Sequence, residues 1–409
     1  MAGKAVITGA GIVSSLGDAP AAVHRALCEG RRGIRAFADG AALAAGVGAA
    51  ADVAYDLQPH FAARNVRPLD RTARLATAAA GLALSDSGLP MPSFPRDDVG
   101  LVLGTMFGSV RTIADFDRRA ITAGPQYVSP LDFANTVINA AAGQVAIWYG
   151  LRGVNSTIAG GHAGAYAIAH AADLVELGAA SALLAGGAEE LCAAAAAAFS
   201  RAGVLCDSHG DATPRPVPFG SQRHGFVLGE GAGFVVVEHA DSAAQRRAQV
   251  RAHILGHATV CSGRAGRATA DGEEIARAIS LALDAAGVTP EEVDCISASA
   301  NGSVDGDTAE ARGLLGALGA RASTVPVTAI KGMLGECLAA SGSLQVICML
   351  ESMRDGVLPG VPDFQPADDG ATLAGLSARP RQVDPRRGLV VAAWNGTCTA
   401  VVLRAADRS

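Results

Sequence analysis

Short apolar runs bounded by glycine alternate with longer runs of helical periodicity along most of the 409-residue chain. Short apolar runs of this kind are typical of buried strands, whereas apolar positions three and four residues apart are typical of helices. The predicted strands lie at 5–11, 99–106, 181–188 and 231–239, and then at 250–260, 292–298, 324–328 and 388–394. The predicted helices lie at 20–28, 71–87, 163–177, 271–286, 307–318 and 338–354. This alternation predicts an α/β fold.

The polar stretch "DSAAQRRAQ" around residue 245 separates the two sets of predicted strands. We therefore expect two similar halves, an N-terminal one at 1–245 and a C-terminal one at 246–409. The alanine run at 193–198 is interpreted as a low-complexity linker, and the polar, proline-containing segment at 366–387 as a loop before the last strands. A chain of this length has ample residues for a large core.

Composition narrows the class of protein without identifying it. The formal charge of −6 argues against a nucleic-acid partner. Eight cysteines without CxxC spacing suggest neither a zinc site nor a disulfide framework, and we expect no metal and no cofactor. The longest run of small or apolar residues, 177–188, is too short to span a membrane. Because the first residues read as a strand rather than a secretory segment, we expect a cytoplasmic protein.

The glycine-rich start "ITGAGIVSSLG" resembles a dinucleotide fingerprint but fails its test. Ser14 stands at the third glycine position, and no acidic residue ends a second strand about 20 residues later. The segment is therefore interpreted as a tight turn between a strand and a helix.

The stretch from residue 153, "GVNSTIAGGHAGAYAIAHAADLVELGAASALLAGGAEE", predicts a strand, a sharp turn, a buried helix and a second strand. An elbow of this kind usually presents a nucleophile at the start of the helix, where the thiolate of a cysteine is stabilised. Here the turn reads "AGGHAG" and holds neither cysteine nor serine. The sequence predicts an active-site scaffold whose nucleophile is missing.

Several further segments occur in a fixed order: "VITGAGIVSSLG", "PLDFANTVINAAAGQVAIWYGLRG", "AGGAEE", "PFGSQRHGFVLGEGAGFVVVE", "TAIKGMLGECLAASGSLQVI" and "WNGTCTAVVL". In this order and spacing they resemble the β-ketoacyl-ACP synthases of the thiolase fold over nearly the whole chain. The resemblance implies two pseudo-symmetric halves in an α-β-α-β-α arrangement of layers, normally in a dimer. It also implies an elbow cysteine that carries the acyl chain, and two histidines that drive decarboxylation of a malonyl group.

This sequence departs from the family pattern at all three catalytic positions. Counting back from the elbow helix, the cysteine position is Gly161, whereas counting forward from "YGLRG" gives His162. The first histidine position falls on Ser299 and the second on Glu336. No histidine occurs anywhere after His257, where both catalytic histidines of the family lie. The catalytic set is therefore expected to be absent.

The residues left in this vestigial pocket have simpler expected roles. Gly161 is expected to serve the turn, where glycine adopts a positive φ freely. His162 is expected to be a hydrogen-bonded structural histidine rather than a base, and Cys337 a small buried side chain rather than a nucleophile. Lys331 and Glu336 are expected to form a buried ion pair, because a buried lysine needs a counter-charge. Glu310 is a further possible partner of Lys331.

Loss of the cysteine and of both histidines is typical of one subclass of this family, the chain length factors of type II polyketide synthases. Members of that subclass pair with an active, cysteine-containing ketosynthase and act on chains held by an acyl carrier protein. One feature differs, because aromatic-polyketide members usually have glutamine where this chain has Gly161. Polyene-type systems therefore fit as well as aromatic ones.

The resemblance implies a non-catalytic subunit that sets polyketide or polyene chain length. The residues expected to line the product tunnel come from the two segments "TMFGSVRTIADF" and "SPLDFANTV": Met106, Phe107, Thr112, Phe116 and Phe133. Three alternatives stay open. The chain could be a divergent condensing or acyl-transfer enzyme acting as a homodimer through Cys337, His162 or Ser299, a structural or carrier-docking subunit, or a malonyl-ACP decarboxylase.

Overall fold

The computed structural model describes residues 4–37, 39–61, 64–90, 96–206, 213–263, 272–367 and 373–406. The strands are β1 Ala5–Val13, β2 Arg35–Ala36, β3 Ala49–Ala50, β4 Val99–Thr105, β5 Asn155–Ala159, β6 Ala182–Glu189, β7 Gly231–His239, β8 Ala252–Cys261, β9 Cys295–Ser297, β10 Val327–Thr328, β11 Val357–Leu358, β12 Arg381–Gln382, β13 Arg387–Trp394 and β14 Thr397–Ala405. The α-helices are α1 Pro20–Cys28, α2 Gly40–Ala44, α3 Arg71–Ser87, α4 Val110–Thr122, α5 Pro130–Phe133, α6 Ala140–Tyr149, α7 Ala163–Glu176, α8 Ala193–Arg201, α9 Ala240–Gln245, α10 Glu273–Ala286, α11 Val304–Leu318, α12 Lys331–Leu334 and α13 Ala339–Asp355. Short 3₁₀ turns lie at Gln58–Phe61, Pro125–Tyr127, Pro290–Glu292 and Gly319–Ser323.

The large sheet contains the same five-stranded topology twice. Its order is β10-β9-β13-β14-β8-β1-β7-β6-β4-β5. Each half of the chain contributes five strands to this sheet. Counted outward from the centre of the sheet, they are the first, fifth, fourth, second and third of those five in chain order. In each set the first two neighbouring pairs are antiparallel and the last two are parallel. The sets meet through two residue pairs between β1 and β8, so the large sheet is two similar units joined at a short seam.

Helices complete a five-layer arrangement. Helices α7 and α13 lie between the two sets of strands, in a core that also takes Ile7 and Leu183 from the first set and Ile254 and Val390 from the second. On the outer faces, α3 packs on β1 and β7, and α10 packs on β8 and β14. This confirms the predicted thiolase-like fold with α-β-α-β-α layers. The topology repeats on either side of α9, and the boundary at 245/246 stays our proposal.

Several predicted elements agree closely with the structure. Helices α1 and α3 have the predicted bounds, and α7, α11 and α13 begin or end within three residues of them. The alanine run at 193–198 was wrongly interpreted as a linker, because it forms most of α8. Alanine has the highest helix propensity of all residues, so a run of it favours a helix. Within the described residues no helix is long and apolar enough to cross a lipid bilayer.

Candidate functional site

The elbow of the first half begins where β5 ends and α7 starts. A Cβ atom added to Gly161 would lie 2.3 Å from Cγ of Trp394 and 2.6 Å from its Cδ2. The indole of Trp394, at the end of β13, is held edge-on by Phe199 and Phe226 at ring-centroid distances of 6.0 and 6.2 Å. The space in which a side chain at residue 161 would start is therefore filled by Trp394.

The expected reason for Gly161 was wrong. The residue of this turn with a positive φ is Gly160, at 143°, and Gly161 is not among the residues with positive φ. Glycine is needed at residue 161 because the indole of Trp394 leaves no room for a Cβ atom. A tryptophan directly before an Asn-Gly turn was visible in the sequence, but its contact with the elbow depends on the pairing of two segments more than 200 residues apart.

We expect Gly161→Ala to destabilise the protein by about 1–3 kcal/mol, because added atoms in a packed site force their neighbours to move. The same substitution in a Trp394→Ala background should have a much smaller effect, since the indole is then absent. Urea unfolding of the two single variants and the double variant measures this coupling. Additive effects would show that Trp394 does not restrict residue 161.

Lys331 and Glu336 form the predicted ion pair, with Nζ 3.0 Å from Oε2. Both are buried, with side-chain exposures of 5% and 0%. Glu336 Oε2 also accepts a hydrogen bond from Asn301 Nδ2 at 2.8 Å, and Oε1 accepts from the Ser341 hydroxyl at 2.7 Å and from the Leu338 amide at 3.0 Å. Four donors therefore surround this carboxylate, and Asn301 and Ser341 are members that sequence reasoning missed.

Ser299 is fully engaged in the same network. Its hydroxyl accepts hydrogen bonds from Lys331 Nζ and the Ala393 amide, both at 3.0 Å, and donates to the Ala393 carbonyl at 3.1 Å. A hydroxyl with its donor and acceptor positions occupied is poorly suited to act as a nucleophile. The contact also ties the first histidine position of the family to β13, the strand that carries Trp394.

Glu310 lies beside this network without bonding directly to Lys331. Its Oε1 accepts a hydrogen bond from the Ser299 amide at 2.7 Å, and its Oε2 has no hydrogen-bond partner among the described residues. Burial raises the pKa of Glu310 to about 8, against an ordinary value of 4.5. The side chain is therefore mostly protonated at neutral pH, and its predicted partnership with Lys331 is limited to a longer-range charge interaction.

This pKa gives a prediction of pH dependence for Glu310→Gln. The folded parent holds a proton that the unfolded chain releases above about pH 4.5, so this stabilisation is complete below that pH and is lost as the pH rises towards 8. The amide does not titrate, so the variant should gain stability relative to the parent by up to about 1.4 kcal/mol per pH unit in this window. Urea unfolding between about pH 5 and pH 8 tests this expectation. Parallel pH profiles would exclude a titrating Glu310.

His162 and Cys337 are both buried, and burial shifts the pKa of each side chain. His162 is 8% exposed, and burial lowers its pKa to about 4. Its ring stacks on Tyr166 at 6.1 Å, and no hydrogen bond to the ring is found within the described residues, so the expected hydrogen-bonded role was wrong. Cys337 Sγ points to the Leu334 and Gly335 carbonyls at 3.7 and 3.8 Å, and burial raises the pKa of the thiol well above its ordinary value. At neutral pH the His162 ring is therefore uncharged and the Cys337 thiol is protonated.

The five residues expected to line a tunnel fall into two groups. Phe107 packs on Phe199 at 6.2 Å, and Met106 borders a cavity of about 550 Å³ together with Phe199 and Trp394. Phe116 and Phe133 contact each other at 5.9 Å on the outer side of α4 and α5.

Phe133 is 62% exposed and Thr112 is half-buried on α4. Within a single chain the five residues do not line one enclosed passage.

Two adjacent glutamates at the end of β6 hold the start of this segment. The Glu189 carboxylate accepts hydrogen bonds from the Met106 and Phe107 amides at 2.6 and 3.1 Å, and Glu190 accepts one from the Arg111 amide at 2.8 Å. Burial raises the pKa of Glu189 to about 8 and that of Glu190 to about 7. The glutamates of the motif "AGGAEE" therefore hold the backbone of the segment that carries Met106 and Phe107, two of the residues expected to line the tunnel.

The repeated five-stranded topology, with an elbow between the layers, defines a thiolase-like ketosynthase scaffold. Residues 3–243 match the N-terminal domain of β-ketoacyl synthases, and residues 251–365 match the C-terminal domain. The chain belongs to the β-ketoacyl synthase family, a class of condensing enzymes. It is 32% identical to a putative polyketide β-ketoacyl synthase 1 of Streptomyces virginiae over 99% of both chains. It is 31% identical to the 3-oxoacyl-[acyl-carrier-protein] synthase 2 of Vibrio cholerae over 90% of both chains.

Solved structures agree with this assignment. The ishigamide ketosynthase/chain length factor superposes with a TM-score of 0.89 at 28% identity, covering 99% of this chain and 100% of that one. A β-ketoacyl synthase from Burkholderia phymatum superposes with a TM-score of 0.91 at 25% identity, again covering 99% and 100%. A chain from the complex of a type II polyketide acyl carrier protein with its ketosynthase has the same fold, with a TM-score of 0.90 at 24% identity and full coverage of both chains.

Proposed function

We propose that this chain is a non-catalytic ketosynthase homologue that pairs with an active β-ketoacyl synthase and sets product chain length in type II polyketide biosynthesis. The observation that carries the proposal is the indole of Trp394, which lies where a side chain at Gly161 would begin. A condensing enzyme needs an acyl-accepting nucleophile at this point of the elbow. Here the position has neither a thiol nor the space for one.

The network around Lys331 supports the same proposal. Decarboxylation and condensation need hydrogen-bond donors that point to the developing oxyanion. Ser299 and Glu336 stand at the two histidine positions, and their oxygens are bound to Lys331, Asn301 and neighbouring backbone groups. These groups stabilise one another rather than presenting free donors to a substrate.

An exposed face of the first half supports the pairing. Strand β5 forms one edge of the large sheet and pairs only with β4, and α4 has no buried residue. Large apolar side chains between 43% and 83% exposed are concentrated in the adjoining segment: Ile121, Tyr127, Leu131, Phe133, Val137, Ile138 and Ile147. An open edge strand beside a large apolar surface is typical of a protein interface. A partner ketosynthase on this face would cover both, with about 2,000–5,000 Å² buried in total for an obligate dimer.

The chain-length role is proposed from the same face. Phe116 and Phe133 lie on it, and Met106 and Phe107 lie between it and the vestigial pocket. Pairing would enclose these side chains, so a product chain that enters from the partner would meet them. The relationship to the ishigamide ketosynthase/chain length factor, at 28% identity, supports such a pairing. The growing chain would be held by an acyl carrier protein.

Pairing can be tested by co-expression with a cysteine-containing ketosynthase encoded beside this chain. We expect a stable heterodimer that condenses malonyl units, whereas this chain alone should not decarboxylate a malonyl thioester. Ile147→Asp places a charge on the proposed interface and should reduce co-purification of the partner by about tenfold or more, because a buried unpaired charge is strongly unfavourable.

Leu177→Asp is the matched control. Leu177 and Ile147 have similar exposures, 81% and 76%. Leu177, however, lies at the C-terminal end of α7, away from the elbow. This variant should co-purify normally. Condensation by the isolated chain would support the homodimeric condensing enzyme instead, and decarboxylation without condensation would support the malonyl-ACP decarboxylase. A normal complex whose product length never responds to this subunit would support the carrier-docking alternative.

A further inference from the structure

A cysteine and a histidine outside the vestigial pocket lie within hydrogen-bond distance of each other. Cys206 Sγ is 3.1 Å from His224 Nε2, and His224 Nδ1 is 2.9 Å from the Gln222 carbonyl oxygen. Because a carbonyl oxygen only accepts, Nδ1 carries the proton and donates it to Gln222. In the neutral imidazole the lone pair of Nε2 then faces the thiol, which is the arrangement by which an imidazole activates a cysteine.

The backbone brings these two residues together. Leu205 forms a parallel β-bridge with Phe226, and the Cys206 amide donates to the Phe226 carbonyl at 2.8 Å. Gly225 has a φ of 134°, and a Cβ atom added there would lie 2.6 Å from the Leu205 carbonyl carbon. Glycine at residue 225 is therefore needed for the histidine segment to approach the cysteine segment so closely.

Cys206 is 7% exposed but borders a cavity of about 420 Å³. The described residues that line this cavity include no Asp, Glu, Lys or Arg, and most are small or apolar, among them Gly46, Val47, Ala49, Ser200 and Leu228. None of these described residues would offer a counter-charge to offset the hydration that a charged group loses on entering the cavity. This part of the lining therefore suits a small uncharged ligand.

We propose that Cys206 and His224 form a second thiol site, which accepts a small uncharged acyl group from an acyl thioester. His224 Nε2 takes the thiol proton, and the sulfur of Cys206 forms a bond to the thioester carbonyl carbon. The tetrahedral intermediate then expels the original thiolate, which takes the proton from His224. The products are an acyl-Cys206 thioester and a free thiol, so no oxidant, reductant or further reactant is needed.

The donor class follows from the chain's membership of a family whose relatives include 3-oxoacyl-[acyl-carrier-protein] synthases. The proposal does not depend on the chain-length role, because the acyl group would be held by Cys206, which borders the cavity of about 420 Å³, whereas His224 also borders the cavity of about 550 Å³ lined by Ser299 and Glu310.

The probe for this site is the butyryl thioester of N-acetylcysteamine, which is small and uncharged. The full-length chain is incubated with it, and the acylated cysteine is identified by peptide mass spectrometry. We expect acylation of Cys206, and none at that position in Cys206→Ser. His224→Gln should slow acylation about tenfold or more near pH 7, because the base is lost. The difference should shrink near pH 9, where the thiol ionises without help.

Cys261→Ser is the control, because Cys261 is the exposed cysteine of the described chain and carries no imidazole partner in the structure. Acylation at Cys206 should persist in this variant. The proposal is overturned if the butyryl group is found only on Cys261 or another thiol, if no cysteine is acylated, or if His224→Gln reacts as fast as the parent near pH 7. Circular dichroism of each variant establishes that the chain remains folded.

Discussion

Lys331→Met is expected to lower the free energy of unfolding by about 3–5 kcal/mol, which is the usual effect of removing one partner of a buried ion pair. The lysine is 5% exposed and bonds to both Ser299 and Glu336 at 3.0 Å. Without it, the Glu336 carboxylate stays buried with only uncharged donors, and the Ser299 hydroxyl loses one of its three hydrogen bonds. Methionine has a similar length, so little of the effect should come from lost volume.

Urea unfolding measures this change, and Arg118→Met is the matched control. Arg118 pairs with Asp115 at 2.6 Å on the surface, with side-chain exposures of 68% and 55%. An exposed pair contributes about 0–1 kcal/mol, so the control should scarcely alter stability. The double variant Lys331→Met/Glu336→Gln should recover part of the loss, because it removes the unpaired charge as well. Equal effects of Lys331→Met and Arg118→Met would show that the pair does not support the core.

The repeated α/β fold could be predicted because the apolar pattern of each segment agrees with the element that the segment forms in the fold. The strand β7 and the helices α1 and α3 were predicted with their observed bounds. Their apolar residues are buried in packed cores, so the apolar pattern follows burial closely. The short strands β9 and β10 have three and two residues, whereas the predicted segments had seven and five. Val293, Ala298 and Val325 beside these strands are also buried and apolar, so the pattern does not mark where the pairing ends.

The helix α4, on the face proposed to meet a partner, was missed for the opposite reason. It is amphipathic but has no buried residue in the single chain, and its apolar positions do not face this chain's core. In the candidate site, too, one interaction could be predicted from the sequence and another could not. The ion pair of Lys331 with Glu336 could be predicted, because a buried lysine needs a counter-charge and Glu336 follows it by only five residues. The contact between Trp394 and Gly161 could not, since it joins residues from opposite halves of the chain.

Replacing Phe116 by alanine in the assembled complex is expected to lengthen the product by at least one extension unit. Phe116 and Phe133 contact each other at 5.9 Å on the face proposed to meet the partner. Bulky side chains close a tunnel because the walls of a packed protein do not yield easily. Removing one ring therefore opens space for further carbons of the chain. Phe133→Ala and Phe107→Ala should act in the same direction, since both rings belong to the proposed tunnel segment.

The matched control for this effect is Arg118→Ala. Residue 118 follows Phe116 by two positions on the same helix and therefore points away from it, and its side chain is 68% exposed. This substitution changes the helix surface without opening the tunnel, so product length should stay unchanged. A longer product from Arg118→Ala would indicate a general loosening of the complex instead of a specific effect of the tunnel wall.

The most direct measurement for the proposed function is the mass of the products bound to the acyl carrier protein in the reconstituted complex. It should be made with the parent subunit, with Phe116→Ala, Phe133→Ala and Phe107→Ala, and with Arg118→Ala, each paired with the same active ketosynthase. We expect products longer by at least one unit from the phenylalanine variants, and parental products from the control. Unchanged product length in all three phenylalanine variants, with the complex assembled and active, would contradict the chain-length role.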